Sequence, residues 1–512
     1  MRGMLNAPDL ESLSAPQLRE VTRDLLDQVQ ALQSEVQFKS TRIDQLTYEL
    51  ARYKRLRFGR TSEKLDAAQA SLLEEALDTD LAAIEEELGQ LQPTPPARKD
   101  KSVPRREPLP DHLTRVAIHH EPDSTSCKCG CHMKRIGEDV AEKLAYKPGD
   151  FTVERHIRGK WVCANCQTLV QAPVPPQVID KGIATAGLLA QVMVAKYADH
   201  LPLYRQEQIF GRAGYAISRS TLGEWVGVCG VQLQPLVDAL RGTVLTHGVL
   251  HADETPVAML KPGNGKTHRA YLWAYSPGAF EAIKAVVYDF TETRAGKNAQ
   301  GFLGAWRGKL VCDDYSGYKA ALAQGLTECG CWAHARRKFF DLHENAKSQI
   351  AGEALKFIGQ LYDVERDAQD LKPEARQRIR QERAQPIADA LRSWMIAHRT
   401  KIPDGSATAK ALDYSLHRWE ALARYLDDGT IPIDNNHVEN QIRPIAVGRS
   451  NWLFAGSLRA GQRAAAIMSL IQSARMNGRD PYAYLKDVFT RLPTLPASRI
   501  EDLLPHQWRL PL

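Results

Sequence analysis

Six prolines lie between Pro93 and Pro110, and this run constrains the fold more than any other feature of the sequence. Proline has no backbone N–H and its ring fixes φ, so neither a helix nor a central strand can pass through such a run. We therefore predict an extended basic linker over residues 93–115, which separates an N-terminal unit, residues 1–92, from the rest of the chain. At about 150 residues per domain, a chain of 512 residues is expected to hold several folded units.

The composition excludes several classes of protein. Hydrophobic residues make up 43% of the chain and charged residues 25%, which is the mix of a globular protein and not of a disordered or fibrous one. No apolar run approaches the length of a membrane span, and Met1–Glu11 lacks the pattern of a secretory signal. We therefore expect a cytoplasmic protein without a membrane partner. The net charge of +6 is mild, so a polyanionic partner has to be recognised by local basic clusters.

Apolar or nearly apolar residues recur at steps of three and four along the N-terminal unit. This seam consists of Leu18, Val21, Leu25, Val29, Leu32, Val36, Ile43, Leu46, Leu50 and Tyr53, with Lys39 as a polar interruption. The pattern predicts an α-helical coiled coil that pairs copies of the chain into a homodimer or a higher oligomer. The alternative is one long helix packed on its own protein.

The seam ends in a basic segment, Arg57–Lys64, which also contains Phe58 and Gly59. Arg57, Arg60 and Lys64 are candidates for contact with DNA phosphates. The alternative is a solvated basic face, which is the commoner fate of such a run.

Residues 176–245 have a helical pattern that is interrupted at Gly211 and Gly214. A new helix is expected to start at Ser218, because serine caps helix N-termini well. Two helices joined by a glycine-containing turn predict a helix-turn-helix-like DNA-binding region, with Arg219 near a groove. Helical hairpins without a role in DNA binding share this pattern and are the alternative.

Five of the nine cysteines fall between Cys127 and Cys166. Cys163 and Cys166 form a CxxC pair, and the upstream group Cys127-Lys-Cys-Gly-Cys131 offers the opposing ligands. Four thiolates bind Zn²⁺ tetrahedrally and leave no open position, so the metal would be structural. The sequence predicts a zinc-binding domain over residues 116–175, with Cys127, Cys129, Cys163 and Cys166 as ligands and Cys131 as a substitute for an upstream one.

Beyond residue 245 the hydrophobic pattern changes to that of short strands. Four strands are expected at residues 248–253, 270–275, 285–290 and 309–312, with a helix at 297–306 before the last one. This order predicts a mixed sheet in an α/β domain. We place that domain at residues 246–475 with a helical insertion at about 349–425, followed by a helical extension at residues 476–512.

Asp253 and Asp313 end two of these strands, and Glu439 lies on a later helix. Acidic side chains crowd together at strand ends only where a cation neutralises them. A pair of Mg²⁺ or Mn²⁺ ions held in this way can activate water or a 3′ hydroxyl for attack on a phosphodiester. Each acid alone is readily explained as a turn residue or a cap, but the three together predict a metal site. Glu254 and Asp314 are expected to point to the opposite face.

Two further segments lie near these acids in the sequence. Cys331-Trp-Ala-His334 is interpreted as a strand-to-helix junction in preference to a second metal site. Arg443 is one helical turn beyond Glu439, where it can orient the carboxylate or contact a phosphate. Together with Arg449 and Trp452 it predicts a DNA track with base stacking, for which core packing of Trp452 is the alternative.

Over nearly its whole length the chain resembles the large transposases of bacterial insertion-sequence family 66. The resemblance is carried by Arg57-Phe-Gly-Arg-Thr-Ser-Glu-Lys64, Ile136-Gly-Glu-Asp-Val-Ala-Glu-Lys-Leu144, His251-Ala-Asp-Glu-Thr255, Asp313-Asp-Tyr-Ser-Gly-Tyr318, Cys331-Trp-Ala-His-Ala-Arg-Arg-Lys-Phe339 and Asp434-Asn-Asn-His-Val-Glu439 with Arg443-Pro444. The chain departs from the family in its first cysteine group, which is CxCGC where CxxC is common.

The resemblance implies a ribonuclease-H-like catalytic domain with an Asp-Asp-Glu triad at Asp253, Asp313 and Glu439, and Arg336 and Arg337 in contact with DNA beside the pocket. It implies a nucleoid-associated transposase that cuts the ends of its element and joins them to target DNA, with small companion proteins from the same element. Two alternatives belong to other classes. One is a DNA-binding regulator or inactive relic that binds ends without cutting, and the other is a ribonuclease-H-superfamily nuclease acting in repair.

Overall fold

The computed structural model describes residues 14–58, 67–91, 108–147, 149–261, 266–323 and 325–509. Arg60, Lys64 and the predicted linker up to residue 107 lie outside the described residues. Within these ranges, no helix combines the length and the apolar character that crossing a membrane requires.

Two helices, α1 (Ala15–Phe58) and α2 (Ala67–Leu91), form the N-terminal unit. Leu46 and Tyr53 of α1 are buried against Ile84 of α2. The second half of the predicted seam therefore packs on its own chain, as in the alternative to a coiled coil. The first half is open to solvent, with exposed fractions from 46% to 66% for Leu25, Val29, Leu32 and Val36.

A four-stranded sheet follows the N-terminal unit. Its strands are β1 (Thr114–His120), β2 (Met133–Lys147), β3 (Asp150–Cys163) and β4 (Leu169–Gln171). β3 is central, parallel to β1 and antiparallel to β2 and β4. The cysteine cluster lies at the open end of the β2–β3 hairpin, whereas Leu144 and Phe151 near its turn are buried in the main core. The hairpin thus anchors the cysteine-rich region to the rest of the molecule.

Three helices come next: α3 (Ala186–Tyr197), α4 (Leu203–Arg212) and α5 (Arg219–Val244). α5 begins where the sequence predicts, because the Ser218 hydroxyl accepts the N–H of Thr221. Along its length α5 packs so closely on α2 that a Cβ at Gly227 would lie 2.5 Å from a backbone oxygen of α2. α5 is therefore a central helix of the core, which argues against the predicted role as a recognition helix.

The second sheet has five strands, and α6 (Gly296–Leu303) precedes the fourth of them. The strands are β5 (Val249–Met259), β6 (His268–Pro277), β7 (Val287–Thr291), β8 (Lys309–Val311) and β9 (Thr327–Cys329). Their order is β7-β6-β5-β8-β9, with β5, β6 and β7 antiparallel and β8 and β9 parallel to β5. The four predicted strands are all present, and β9 adds a fifth.

Helices make up the remainder of the described chain. They are α7 (Lys319–Leu322), α8 (Trp332–Ala346), α9 (Gln349–Ala368), α10 (Pro373–Ile379), α11 (Gln385–Arg399), α12 (Ala407–His417), α13 (Trp419–Ala423), α14 (Asn436–Trp452), α15 (Leu458–Met476) and α16 (Pro481–Arg491). Helices α8 to α13 pack around a second hydrophobic core, which also includes Val249 and Val311 of the second sheet. Arg380 is fully buried beside it and pairs with Glu365 at 2.6 Å. α15 packs on β7, and α16 packs on α3.

Candidate active site and zinc centre

Asp253 lies in the interior of β5 (Val249–Met259) and not at the strand end that the sequence predicts, whereas Asp313 follows the end of β8. His251 of β5 pairs in parallel with Val311 of β8, and extending this register by two residues places Asp313 beside Asp253. Glu439 approaches from the first turn of α14. Burial, followed by the charges of Glu254, Glu439 and Asp313, raises the pKa of Asp253 to about 8. The structure thus brings the three predicted carboxylates within electrostatic reach of one another.

The acids next to the two aspartates each have a cation of their own. Glu254 is almost completely buried, forms an ion pair with Arg294 and accepts a hydrogen bond from the Tyr318 hydroxyl at 2.9 Å. Asp314 pairs with Arg418 at 2.6 Å. Among the described residues, no lysine or arginine pairs with Asp253 or Asp313. No basic side chain among the described residues therefore neutralises them, which favours them over their neighbours as ligands of a cation.

Glu439 contacts two side chains from α8. Its Oε2 lies 3.4 Å from Nη2 of Arg337, and its Oε1 lies 3.6 Å from Nδ1 of His334. Burial lowers the pKa of His334, although the charge of Glu439 opposes this effect. Cys331 is also close, because its Sγ, the His334 nitrogen and a Glu439 oxygen all lie within 4.8 Å of one another.

Asn435 links the strand of Asp253 to the helix of Glu439. Its Nδ2 donates to the carbonyl of Ala252 at 2.9 Å, and its Oδ1 lies 2.8 Å from Nδ1 of His251. Burial, together with the charge of His437, lowers the pKa of His251 to about 3, so this imidazole is neutral. Asn435 occupies the N-cap position of α14, but its side chain makes no capping hydrogen bond.

The arrangement suits a hard divalent cation. Three carboxylates supply the oxygen ligands that Mg²⁺ or Mn²⁺ prefers, and two of them lack a protein cation. Burial first, and then the neighbouring carboxylates, raise the pKa of Asp253 to about 8, and a bound cation would oppose both effects. The donor set therefore fits the predicted ions.

The basic residues predicted to contact DNA fall into two groups. Arg336, Arg337, Arg443 and Arg449 are exposed on the two helices that carry His334 and Glu439. A surface groove beside Arg336 and Arg337 is completed by Phe340, Tyr362 and Arg366. This face offers positive charge next to the carboxylates.

The second group is engaged within the protein. Arg57 pairs with Asp78 at 2.6 Å, and Arg219 pairs with Glu74 at 2.7 Å, so both face the acidic helix α2. Trp452 is half-buried and packs against the main core, as in the alternative to base stacking.

The cysteine cluster has the composition of a zinc centre. Sγ atoms of Cys127 and Cys166 are 3.0 Å apart, and those of Cys129 and Cys163 are 3.6 Å apart. The Sγ atoms of these four residues all lie within 4.8 Å of one another. The Sγ of Cys131 instead accepts a hydrogen bond from Asn165 at 3.0 Å. Four thiols without an open position support structural Zn²⁺.

Sequence reasoning missed Arg294 and the bridging role of Asn435. Arg294 follows β7 in an ordinary turn, and nothing in its local pattern indicates that it neutralises Glu254. Asn435 stood beside the acidic motif, but its partners are more than 180 residues away in the chain. The sequence analysis interpreted Cys331–His334 as a strand-to-helix junction, and the structure places Cys331 at the N-cap of α8 just after β9.

Comparisons with known proteins cover most of the chain. Residues 181–463 match the family described as the transposase IS66 family, and residues 469–506 match its C-terminal element. Residues 45–118 match a region described as the transposase C of IS166 homeodomain, and residues 124–167 match the zinc-finger binding domain of transposase IS66.

Similar full-length proteins occur in Sinorhizobium fredii (strain NBRC 101917 / NGR234). The uncharacterized protein y4jD is 35% identical, and the match covers 93% of this chain and 97% of the relative. The uncharacterized protein y4qI is 37% identical over 91% of this chain and 89% of its own length. With the family match extending over more than half of the residues, the chain belongs to the transposase IS66 family.

Proposed function

We propose that the protein is a DDE-type DNA transposase, which binds the ends of its insertion sequence and catalyses metal-dependent strand cleavage and strand transfer into target DNA. The observation that carries the proposal is the convergence of Asp253, Asp313 and Glu439, of which the two aspartates pair with no lysine or arginine among the described residues. The sheet order β7-β6-β5-β8-β9 supports a ribonuclease-H-like catalytic domain over residues 246–475.

The proposed chemistry needs no covalent link between protein and DNA. Two Mg²⁺ or Mn²⁺ ions, when bound by the three carboxylates, supply activation of the attacking oxygen and stabilisation of the leaving oxygen. Water attacks the phosphate at the element end and breaks its bond to the 3′ oxygen. The freed 3′ hydroxyl then attacks a phosphate of the target and displaces the adjoining strand.

Residues of the chain hold the DNA during both steps. Arg336 and Arg337 are exposed on α8 and Arg443 is exposed on α14, and all three would contact phosphates of the bound strand. Arg337 also keeps the Glu439 carboxylate turned toward α8, because its guanidinium lies 3.4 Å from Oε2. Asn435 and buried His251 hold α14 against β5 and so fix the spacing of the triad.

The other units would serve binding and assembly. We assign residues 1–92 to pairing and basic contacts, 93–115 to a linker, 116–175 to zinc binding, 176–245 to a helical region, and 476–512 to a C-terminal extension. The exposed half of the α1 seam fits a second copy of the chain. We also propose that the protein acts at the nucleoid and that small companion proteins of the same element assist it.

The test is strand cleavage of a labelled duplex that carries the element's own end. The parent and Glu439→Gln are compared with Mg²⁺ or Mn²⁺, and DNA binding is measured in the same samples. We expect metal-dependent cleavage by the parent, a loss of at least about 100-fold in the variant, and unchanged binding. Glu344→Gln on α8, which is outside the site, is the matched control.

Three other outcomes contradict the proposal. Cleavage that survives Glu439→Gln removes Glu439 from the mechanism. Specific binding with no cleavage by the parent, even after the companion proteins are added, favours a binding-only regulator or relic. Cleavage of branched or hybrid substrates without preference for the element end favours a repair nuclease.

A further inference from the structure

Two helix N-termini meet beside the candidate active site. Cys331 occupies the N-cap position of α8, and His334 follows in the first turn. The N–H of Asn435, at the start of α14, donates to the Sγ of Cys331 at 3.2 Å. Trp332 donates its N–H to the carbonyl of Ile433 at 3.1 Å. These bonds fix the two helix starts against each other, so Cys331, His334 and Glu439 are held on a rigid frame.

Two polar atoms in this cluster lack the partners that buried polar atoms normally have. Nδ1 of His334 and Oε1 of Glu439 are shielded from solvent, and neither makes a hydrogen bond. They lie 3.6 Å apart, which is too far for a hydrogen bond. Arg337 contacts only the other oxygen, Oε2, so it leaves Oε1 unpartnered. Leaving such atoms unpaired is unfavourable, and a bound cation would provide the missing partner.

The spacing matches that of two ligands on one ion. Metal bonds of about 2.0–2.2 Å at a tetrahedral centre separate a nitrogen and an oxygen ligand by roughly 3.3–3.6 Å. The contact between His334 and Glu439 has this length, and the Sγ of Cys331 lies within 4.8 Å of both. The cysteine cluster of β2 and β3 shows comparable separations, from 3.0 to 4.0 Å between Sγ atoms.

We propose that Cys331, His334 and Glu439 form a second transition-metal site, distinct from the cysteine cluster, which binds Zn²⁺ with one position left open. A thiolate, an imidazole and a carboxylate are zinc ligands, whereas Mg²⁺ prefers oxygen alone. The Sγ accepts the backbone N–H of Asn435 at the N-terminus of α14, which opposes the effect of burial in raising the pKa of the Cys331 thiol. Zn²⁺ binding displaces the thiol proton into solvent as the Zn–S bond forms.

The site shares Glu439 with the carboxylate triad. An ion bound by Cys331 and His334 draws Glu439 away from Asp253 and Asp313, so zinc at this site opposes Mg²⁺ at the triad. This consequence rests on the proposed function, whereas the zinc site itself does not. The protein would then be a transposase that zinc inhibits until Glu439 is released from the zinc site.

The test counts zinc in the full chain and does not depend on cleavage. Parent protein is equilibrated with Zn²⁺, freed of excess ion, and analysed for zinc per chain by elemental mass spectrometry. We expect about two zinc ions in the parent, and about one in His334→Ala and in Glu439→Gln. His343→Ala, on the same helix, is the matched control and is expected to keep both.

Cobalt spectroscopy identifies the ligands independently. Co²⁺ bound to the parent is expected to show thiolate charge-transfer absorption from both sites, of which Cys331→Ser removes one part and leaves the cysteine-cluster part. One zinc ion in the parent, or two in His334→Ala, would overturn the proposal. Because neither measurement uses DNA, failure of the zinc site and failure of the transposase proposal are distinguishable.

Discussion

At the scale of single residues, Asn435 joins the two elements that carry Asp253 and Glu439. Its amide bonds Ala252 at 2.9 Å and His251 at 2.8 Å, and it is fully buried. We expect Asn435→Ala to weaken metal binding and to lower the cleavage rate by roughly 10–100-fold, as for other residues that orient metal ligands. The Mg²⁺ concentration for half-maximal cleavage should rise, and DNA binding should not change.

Asn477→Ala is the matched control for this change. Asn477 also donates from Nδ2 to a strand-side carbonyl, that of Lys284 at 2.6 Å, but it lies at the far end of α15. We expect it to alter stability without altering the metal dependence. If both variants shift the Mg²⁺ response equally, Asn435 has a structural role alone.

The raised pKa of Asp253 predicts how the stability of the metal-free protein depends on pH. Its pKa is about 8 in the folded protein and about 4 in the unfolded chain, so the folded protein binds the extra proton between these values. In metal-free protein this stabilisation is full below about pH 4 and is lost as the pH rises through about 8. Asp253→Asn should flatten that loss and raise metal-free stability at pH 8 by about 1–2 kcal/mol.

Thermal unfolding with and without Mg²⁺ checks this prediction. The parent should gain stability from Mg²⁺ increasingly toward pH 8, and Asp253→Asn should not respond. The control is Asp289→Asn, because Asp289 is another buried carboxyl whose pKa is raised by burial, but it lies on β7 outside the triad. A Mg²⁺ response that persists in Asp253→Asn contradicts the assignment.

The sequence could identify the three acids but not what surrounds them. Local signals single out Asp253, Asp313 and Glu439, although the predicted strand end at Asp253 is wrong, because β5 continues to Met259. The partner of Glu254 is Arg294, 40 positions further on, and its contact exists only because the sheet brings them together. Long-range neutralisation of this kind has no local pattern, which is why the neighbours of the triad had to come from the structure.

At the scale of elements, the two halves of the α1 seam differ in their exposure to solvent. From Leu46 onward the seam is buried by α2, whereas Leu32 is 59% exposed in the preceding half. An apolar stripe of this kind on a helix surface is stabilised by a second helix. We expect Leu32→Lys to reduce the oligomer to monomers in light scattering after gel filtration.

Tyr48→Lys is the control for the stripe. Tyr48 is 74% exposed on α1 but lies outside the seam, so its replacement should leave the oligomer intact. Equal masses for the parent and Leu32→Lys would show that chains do not pair through this half of α1.

Element boundaries were predictable where a local device sets them. Ser218 starts α5 through its own hydroxyl, whereas the strand expected at residues 248–253 continues to Met259 as β5, because its pairing with β6 extends beyond the apolar run. The seam of α1 could not be divided from sequence, because both halves have the same period and only the position of α2 distinguishes them. The position of α5 in the core could not be predicted either, because it depends on where α2 packs.

At the scale of the whole molecule, α2 connects the N-terminal unit to the helices that follow the sheet. Its acidic residues face cations from distant parts of the chain: Glu75 pairs with Lys196, and Glu87 pairs with Arg459 at 2.6 Å. Asp80 is fully buried and pairs with Arg463 at 2.9 Å. The acidic composition of α2 is therefore explained by internal pairing, and it anchors α1 to the candidate catalytic unit.

The buried pair of Asp80 and Arg463 gives the sharpest test of this connection. Asp80→Asn leaves the Arg463 guanidinium without a counter-charge in a site that excludes water, which is expected to destabilise the protein by about 3–5 kcal/mol. Glu85→Gln removes a pair with Lys54 that is about half exposed, and it should cost less than about 1 kcal/mol. Urea unfolding measures both, and proteolysis should release the N-terminal helices sooner in Asp80→Asn alone. Equal, small effects in the two variants would mean that α2 is held by its apolar packing on α5, with the ion pairs contributing nothing measurable.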